Sequence, residues 1–137
     1  MNADLFLVLA PLAKRHGLDP YGDSTGIFAD LERDWRVPDQ AYATPEQGIE
    51  EGLTGAVLIV ELRSPGDETY AKLPFYAARR VAEILVVHED RQFELYRLHE
   101  GSYEPVDDGR SRVLSVTFET VGGPRLRVTW DSGSADV

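Results

Sequence analysis

The sequence contains no cysteine, which removes disulfides and thiolate metal sites together and leaves nothing that asks for an oxidising compartment. A cytoplasmic protein is therefore expected. Bases are scarce: 14 Lys and Arg stand against 24 Asp and Glu, for a formal net charge of −10. Such a chain cannot draw in nucleic acid through a general field, because phosphate contacts need Lys and Arg. Long apolar runs are also missing. Residues 5–10 are too few to span a bilayer, follow no basic segment, and meet Pro11, Lys14 and Arg15, so neither a membrane anchor nor a secretion signal is expected. No internal repeat or low-complexity tract is present.

What remains is an ordinary globular composition, 42% hydrophobic and 28% charged over 137 residues, which suits one domain over residues 1–130. Residues 131–137 are small and polar and read as a flexible tail. The acidity is uneven: residues 1–70 hold 13 acids and 5 bases, residues 71–137 hold 11 and 9. Any DNA-facing surface should therefore draw on Lys72, Arg79, Arg80, Arg110, Arg112, Arg125 and Arg127.

Leu5, Leu9, Leu12 and Ala13 recur at helical spacing, predicting a helix over residues 3–16 closed by Gly17, with Pro11 as an awkward interior residue. Residues 27–31 and 36–43 read as a hairpin whose second strand Pro38 makes an edge or bulged one. Thr44-Pro45 signals a short helical turn. The unbroken run Ala56-Val57-Leu58-Ile59-Val60-Glu61-Leu62 suits a central strand buried on both faces. A helix follows over residues 70–80, and the remainder alternates in the manner of strands, with turns at Glu89-Asp90, Glu100-Gly101 and Gly122-Gly123-Pro124.

Glu61 carries the chemical information. A carboxylate ending an apolar strand must be neutralised, because burying an isolated charge is very costly. On a regular strand Val57, Ile59, Glu61 and Arg63 share one face. The partner is either a divalent metal or a cation, Arg63 or Lys72, and a structural ion pair satisfies the same need. Asp39, on the preceding strand, is placed so that neighbouring strands could bring both carboxylates together. Magnesium commonly takes one or two carboxylates, with water and phosphate completing its shell. His16, His88 and His99 are scattered on different elements and read as solvated. The alternate arginines 110, 112, 125 and 127 read as a strand face or a basic stripe.

Several of these segments fall in family order. Arg36-Val37-Pro38-Asp39, Leu58-Ile59-Val60-Glu61-Leu62 with Ser64-Pro65, Lys72-Leu73 with Tyr76, residues 81–87 and Phe93-Glu94-Leu95-Tyr96-Arg97-Leu98 together resemble the Uma-two family of restriction endonucleases, within the PD-(D/E)XK superfamily. The resemblance covers residues 25–130. It implies an α/β, restriction-endonuclease-like fold: a central mixed sheet flanked by helices, with a C-terminal β-meander. It also implies a magnesium- or manganese-dependent endonuclease acting on DNA, with Asp39 and Glu61 as metal ligands and Lys72 as the cationic helper. Arg63 is the alternative helper, at the position of the lysine in the superfamily's E-x-K motif. This chain departs from the family where it has Val57 in place of an aspartate, in Pro74 close behind Lys72, and in the further N-terminal helix and strand the family usually carries. Those departures, with the net charge, keep open a second reading: a catalytically silent, homodimeric binding or structural module.

Overall fold

A computed structural model describes all residues, Met1–Val137. The chain opens with α1 (Asn2–Arg15) and passes through β1 (Asp19–Tyr21), β2 (Ile27–Asp30), β3 (Asp34–Arg36) and β4 (Gln40–Ala43). A 3₁₀ turn (Pro45–Gln47) leads to β5 (Gly48–Ile49), β6 (Gly52–Leu53) and β7 (Leu58–Leu62). A second 3₁₀ turn (Tyr70–Lys72) runs into α2 (Leu73–Ala78), and then only strands follow: β8 (Glu83–Val87), β9 (Phe93–His99), β10 (Ser102–Pro105), β11 (Arg110–Ser111), β12 (Val116–Val121), β13 (Arg125–Trp130) and β14 (Gly133–Asp136).

The main sheet has the order β1-β4-β7-β8-β9-β10 and is mixed, since β7 and β8 are parallel while the other pairs are antiparallel. Parallel neighbours require a crossover, which α2 supplies. Leu58, Ile59, Val60 and Glu61 are all buried, as a strand covered on both faces demands. Alternation divides them. Leu58, Val60, Leu85 and Val87 join the core beneath α1 and the sheet β11-β12-β13-β14. Ile59, Ile84 and Val86 join the core beneath α2 and the small sheet β3-β2-β6-β5.

α1 buries Leu5, Leu9, Leu12 and Ala13 as its periodicity predicts, and Gly17 beyond its end has φ +73°. Pro11 does not break the helix. It lies on the exposed side of the helix, as does Leu7 four residues before it, so the ring has no core residue to displace.

Two sequence expectations are corrected. The second half of the expected hairpin divides: β3 pairs with β2, whereas β4 leaves to lie between β1 and β7 as an inner strand rather than an edge. Pro38 has no N–H to continue the first ladder, and all four residues of β4 are buried, so pairing in the main sheet covers both its faces. The tail is not frayed either. β14 pairs with β13, Val137 exchanges backbone hydrogen bonds with Leu126 at 2.8 and 2.9 Å, and Arg127 grips Asp136 at 2.8 and 3.1 Å. Small polar side chains conceal a backbone that finds an edge to bind.

The C-terminal sheet is tied to the main sheet by Glu83, at the start of β8 and 1% exposed. Its carboxylate accepts from the Ser111 hydroxyl at 2.6 Å, the Arg112 N–H at 2.8 Å and Arg97 at 3.1 Å. Glu83→Ala removes the acceptor while its buried donors stay, so a loss of about 3–5 kcal/mol is expected, read as a lower urea midpoint with unchanged slope.

Candidate active site

The register Gln40↔Val60 between β4 and β7 sets Asp39 opposite Glu61 one step beyond the ladder. The Asp39 carboxylate reaches across to accept the Leu62 N–H at 2.6 Å. That bond uses Oδ2 and leaves Oδ1 without a protein partner. The pairing of strands thus does what the spacing of Asp39 and Glu61 in the sequence suggested.

Glu61 is 2% exposed, and on the α2 side of the sheet it meets two donors. The Tyr76 hydroxyl donates to Oε1 at 2.7 Å, and Lys72 Nζ lies 3.3 Å from each carboxylate oxygen. Lys72 also donates to the Val37 carbonyl at 3.1 Å, so its ammonium bridges the approach to β4 and the end of β7. Pro74 does not displace it. Because α2 begins at Leu73, the proline occupies the first helical turn, where a missing N–H costs nothing.

Arg63 makes no contact with Glu61. Its guanidinium carbon lies 4.9 Å from the centre of the Tyr70 ring and its Nε is 4.0 Å from Asp67. Val57 lies just before β7 and packs against the α1-side core, so it does not share the face of Ile59 and Glu61 as a regular strand would require. The strand's alternation starts only at Leu58. Among the other bases, Arg79 is spent on the Thr54 carbonyl, at 2.7 and 3.1 Å. Arg127 is paired with Asp136 and faces Glu119 across the ladder, and the C-terminal sheet carrying arginines 110, 125 and 127 covers the opposite side of the main sheet. The basic stripe is thus interleaved with acids and remote from Glu61.

Burial pushes the Glu61 carboxyl up to about 7; the Tyr76 hydrogen bond and the Lys72 charge pull it down, while the Asp39 charge adds to the rise. Tyr76 is itself pushed up, by burial and by the neighbouring Glu61. The buried Glu61 carboxyl thus meets a second carboxylate and a single ammonium.

Tyr76 was not given a role by sequence reasoning. The available signal was its i, i+4 relation to Lys72, which places both on one side of a helical segment. A second polar group on the same sheet face was also missed. Glu94, in the row Glu61↔Val86↔Glu94, accepts from Tyr70 at 2.6 Å, from His88 at 2.6 Å and from Tyr96. Burial works against its charge, but those three hydrogen bonds prevail and hold its carboxyl below the ordinary range. No third His, Asp or Glu joins Asp39 and Glu61.

A stability consequence follows from Glu61. Its folded value, about 7, lies above the ordinary 4.5, so between these values the folded state holds more protons than the unfolded chain. Stability of the metal-free protein should fall as pH rises from about 4.5 to 7 and level off above, by on the order of 3 kcal/mol from this group. Glu61→Gln should flatten that slope and be no less stable than wild type at pH 8. A loss of several kcal/mol at pH 8 would identify Glu61–Lys72 as a net-stabilising ion pair instead.

Known proteins bear on the same region. The profile of the Uma2 family, described as "Putative restriction endonuclease", matches residues 1–128. A crystal structure from Anabaena variabilis ATCC 29413, described as a "putative nuclease belonging to DUF820", superposes with TM-score 0.59 at 13% identity, covering 80% of this chain and 66% of that one. A cryo-electron-microscopy structure of a DrdV–DNA complex gives TM-score 0.46 at 16% identity, over 76% of this chain and 9% of that one. No curated protein sequence matches the chain. The chain thus spans just under two thirds of the first of these structures, and that likeness is one of fold, the restriction-endonuclease-like fold expected above. With the family's profile matched from just before α1 into β13, the chain belongs to the Uma2 family.

Proposed function

We propose that the protein is a divalent-metal-dependent endonuclease that hydrolyses phosphodiester bonds in DNA at the Asp39–Glu61–Lys72 site. The observation that carries this reading is the convergence of two carboxylates with only one ammonium between them, one carboxylate buried and driven toward its neutral form. A site so short of positive charge has a use for a cation. Two carboxylates, one with an oxygen left without a protein partner, suit magnesium or manganese, which fill their remaining positions with water and substrate phosphate. Asp39 and Glu61 would hold the ion. When bound, a divalent ion supplies Lewis acidity, easing deprotonation of water and offsetting charge on the phosphate.

The protein's own groups prepare the rest. Tyr76 fixes the Glu61 rotamer through Oε1, and the Leu62 N–H fixes Asp39, so both ligands are oriented beforehand. Lys72, anchored by the Val37 carbonyl, brings a positive charge to where the phosphate gains negative charge in the transition state. Arg63, which is turned away toward Tyr70, is less suited to that task.

Manganese should raise the melting temperature of the wild-type chain, by an amount equivalent to about 2.7 kcal/mol at a concentration one hundred times its dissociation constant. Asp39→Ala and Glu61→Ala should remove the rise and abolish manganese-dependent nicking of supercoiled DNA. Lys72→Ala should keep the rise but lose roughly 100-fold in rate, the scale of one electrostatic stabiliser. A melting temperature that ignores manganese in every variant would reject the metal site. Val57→Asp places a charge against the α1-side core, so it should lower stability without tightening manganese binding, measured by calorimetry.

A further inference from the structure

We propose that Arg63 is the binding residue for the DNA phosphate next to the one cleaved, held ready by Tyr70 and Glu94. The inference rests on the nuclease reading and assigns Arg63 a task other than helping Glu61. Arg63 continues β7, with its N–H donating to the Val87 carbonyl at 2.8 Å. It stands two residues beyond Glu61, about 6.6 Å along an extended strand. That step is comparable with the separation of neighbouring phosphates on one nucleic-acid strand. The segment Tyr70–Tyr76 packs over both residues, Tyr70 on Arg63 and Tyr76 on Glu61, so the two lie on one face of the sheet.

Arg63 is a cation without a committed partner. Its Nε is buried and makes no hydrogen bond. The one carboxylate within 4.0 Å of it, Asp67, already accepts the Ser64 N–H at 2.6 Å and the Thr69 N–H at 3.1 Å, so it closes its own loop rather than holding the guanidinium. What positions Arg63 is the Tyr70 face, and what positions Tyr70 is its hydroxyl bond to Glu94 at 2.6 Å. An arginine fixed by stacking keeps its planar fork for a phosphate, and loses less freedom on binding than an unrestrained one. Arg63 lines an open depression of about 470 Å³ with Ser64, His88 and Gln92, which has room for a sugar-phosphate strand. Glu89 and Asp90 also line it, so binding there depends on the arginine and not on a general positive field.

The test is fluorescence anisotropy of a labelled DNA duplex and of its single strand, titrated over a salt series without divalent metal, with manganese calorimetry on the same proteins. Arg63→Gln should weaken binding about tenfold and reduce the slope of log K against log salt by about one. Arg63→Lys should keep the slope while binding more weakly than wild type, because a point charge replaces a fork. Tyr70→Phe should weaken binding with the slope unchanged. Manganese affinity should be the same in all of them. An Arg63→Gln slope equal to wild type, or wild-type protein that binds neither DNA, overturns the assignment. Wild-type protein that binds DNA with the expected Arg63 slope but takes no manganese overturns the metal reading and leaves Arg63 a DNA-phosphate contact with no cleaved phosphate beside it.

Discussion

Glu61 sits almost out of water at the end of an inner strand, and the arrangement around it follows from having to accommodate that carboxylate. The chain has no histidine or cysteine beside it to share the burden. Lys72 must therefore come from the crossover, Tyr76 from the helix behind it, and the Val37 carbonyl from the lead into β4, where it steadies the lysine. Each contact also fixes a piece of architecture. The crossover is held against the sheet, and β4 is held beside β7 with Asp39 at its mouth.

A comparison within the same strand pair shows what is particular about Glu61. Glu83 is equally buried, at the opposite end of β8 and on the other face of the sheet, yet it accepts from a hydroxyl, two backbone N–H groups and an arginine. Its lone pairs are occupied, and it serves as a joint between the sheets. Glu61 has one hydroxyl and a shared ammonium at 3.3 Å, with a second carboxylate opposite. Burial alone does not make a site. A site requires a buried charge whose neighbours leave its demand unmet, and of these two carboxylates only Glu61 fits that description.

The sequence was legible where one local rule acted alone. The i, i+4 apolar pattern located α1, the unbroken apolar run located β7, and the placement of Asp39 and Glu61 on adjoining strands anticipated their meeting. It was illegible where partners far apart in the chain decided the outcome. β4 looked like half of a hairpin because β3 is its neighbour in sequence, but its two buried faces could be covered only in the main sheet. β14 looked like a tail because its side chains are small, although its backbone had an unpaired edge to complete. Glu83 carried no signal because its partners lie 14 to 30 residues further along. Val57 was misplaced because alternation was extended one residue past the start of the strand.

The net charge of −10, the strongest objection to a nucleic-acid substrate, bears on the long-range field more than on the few contacts a phosphate would make. In physiological salt a charge is felt over about 8–10 Å, so a phosphate at Glu61 responds to the residues around it and not to the total. Around it stand Lys72 and Asp39, with Arg63 two residues along the strand beside Asp67, Glu89 and Asp90, while Arg127 is already matched by Asp136 on the far side of the main sheet. A protein built this way gains little long-range attraction for DNA, and its association should be slow and depend on salt only through a few contacts. On the proposed function, selectivity would lie in geometry: cleavage would require a strand to engage Lys72, Arg63 and a metal held by the two carboxylates together.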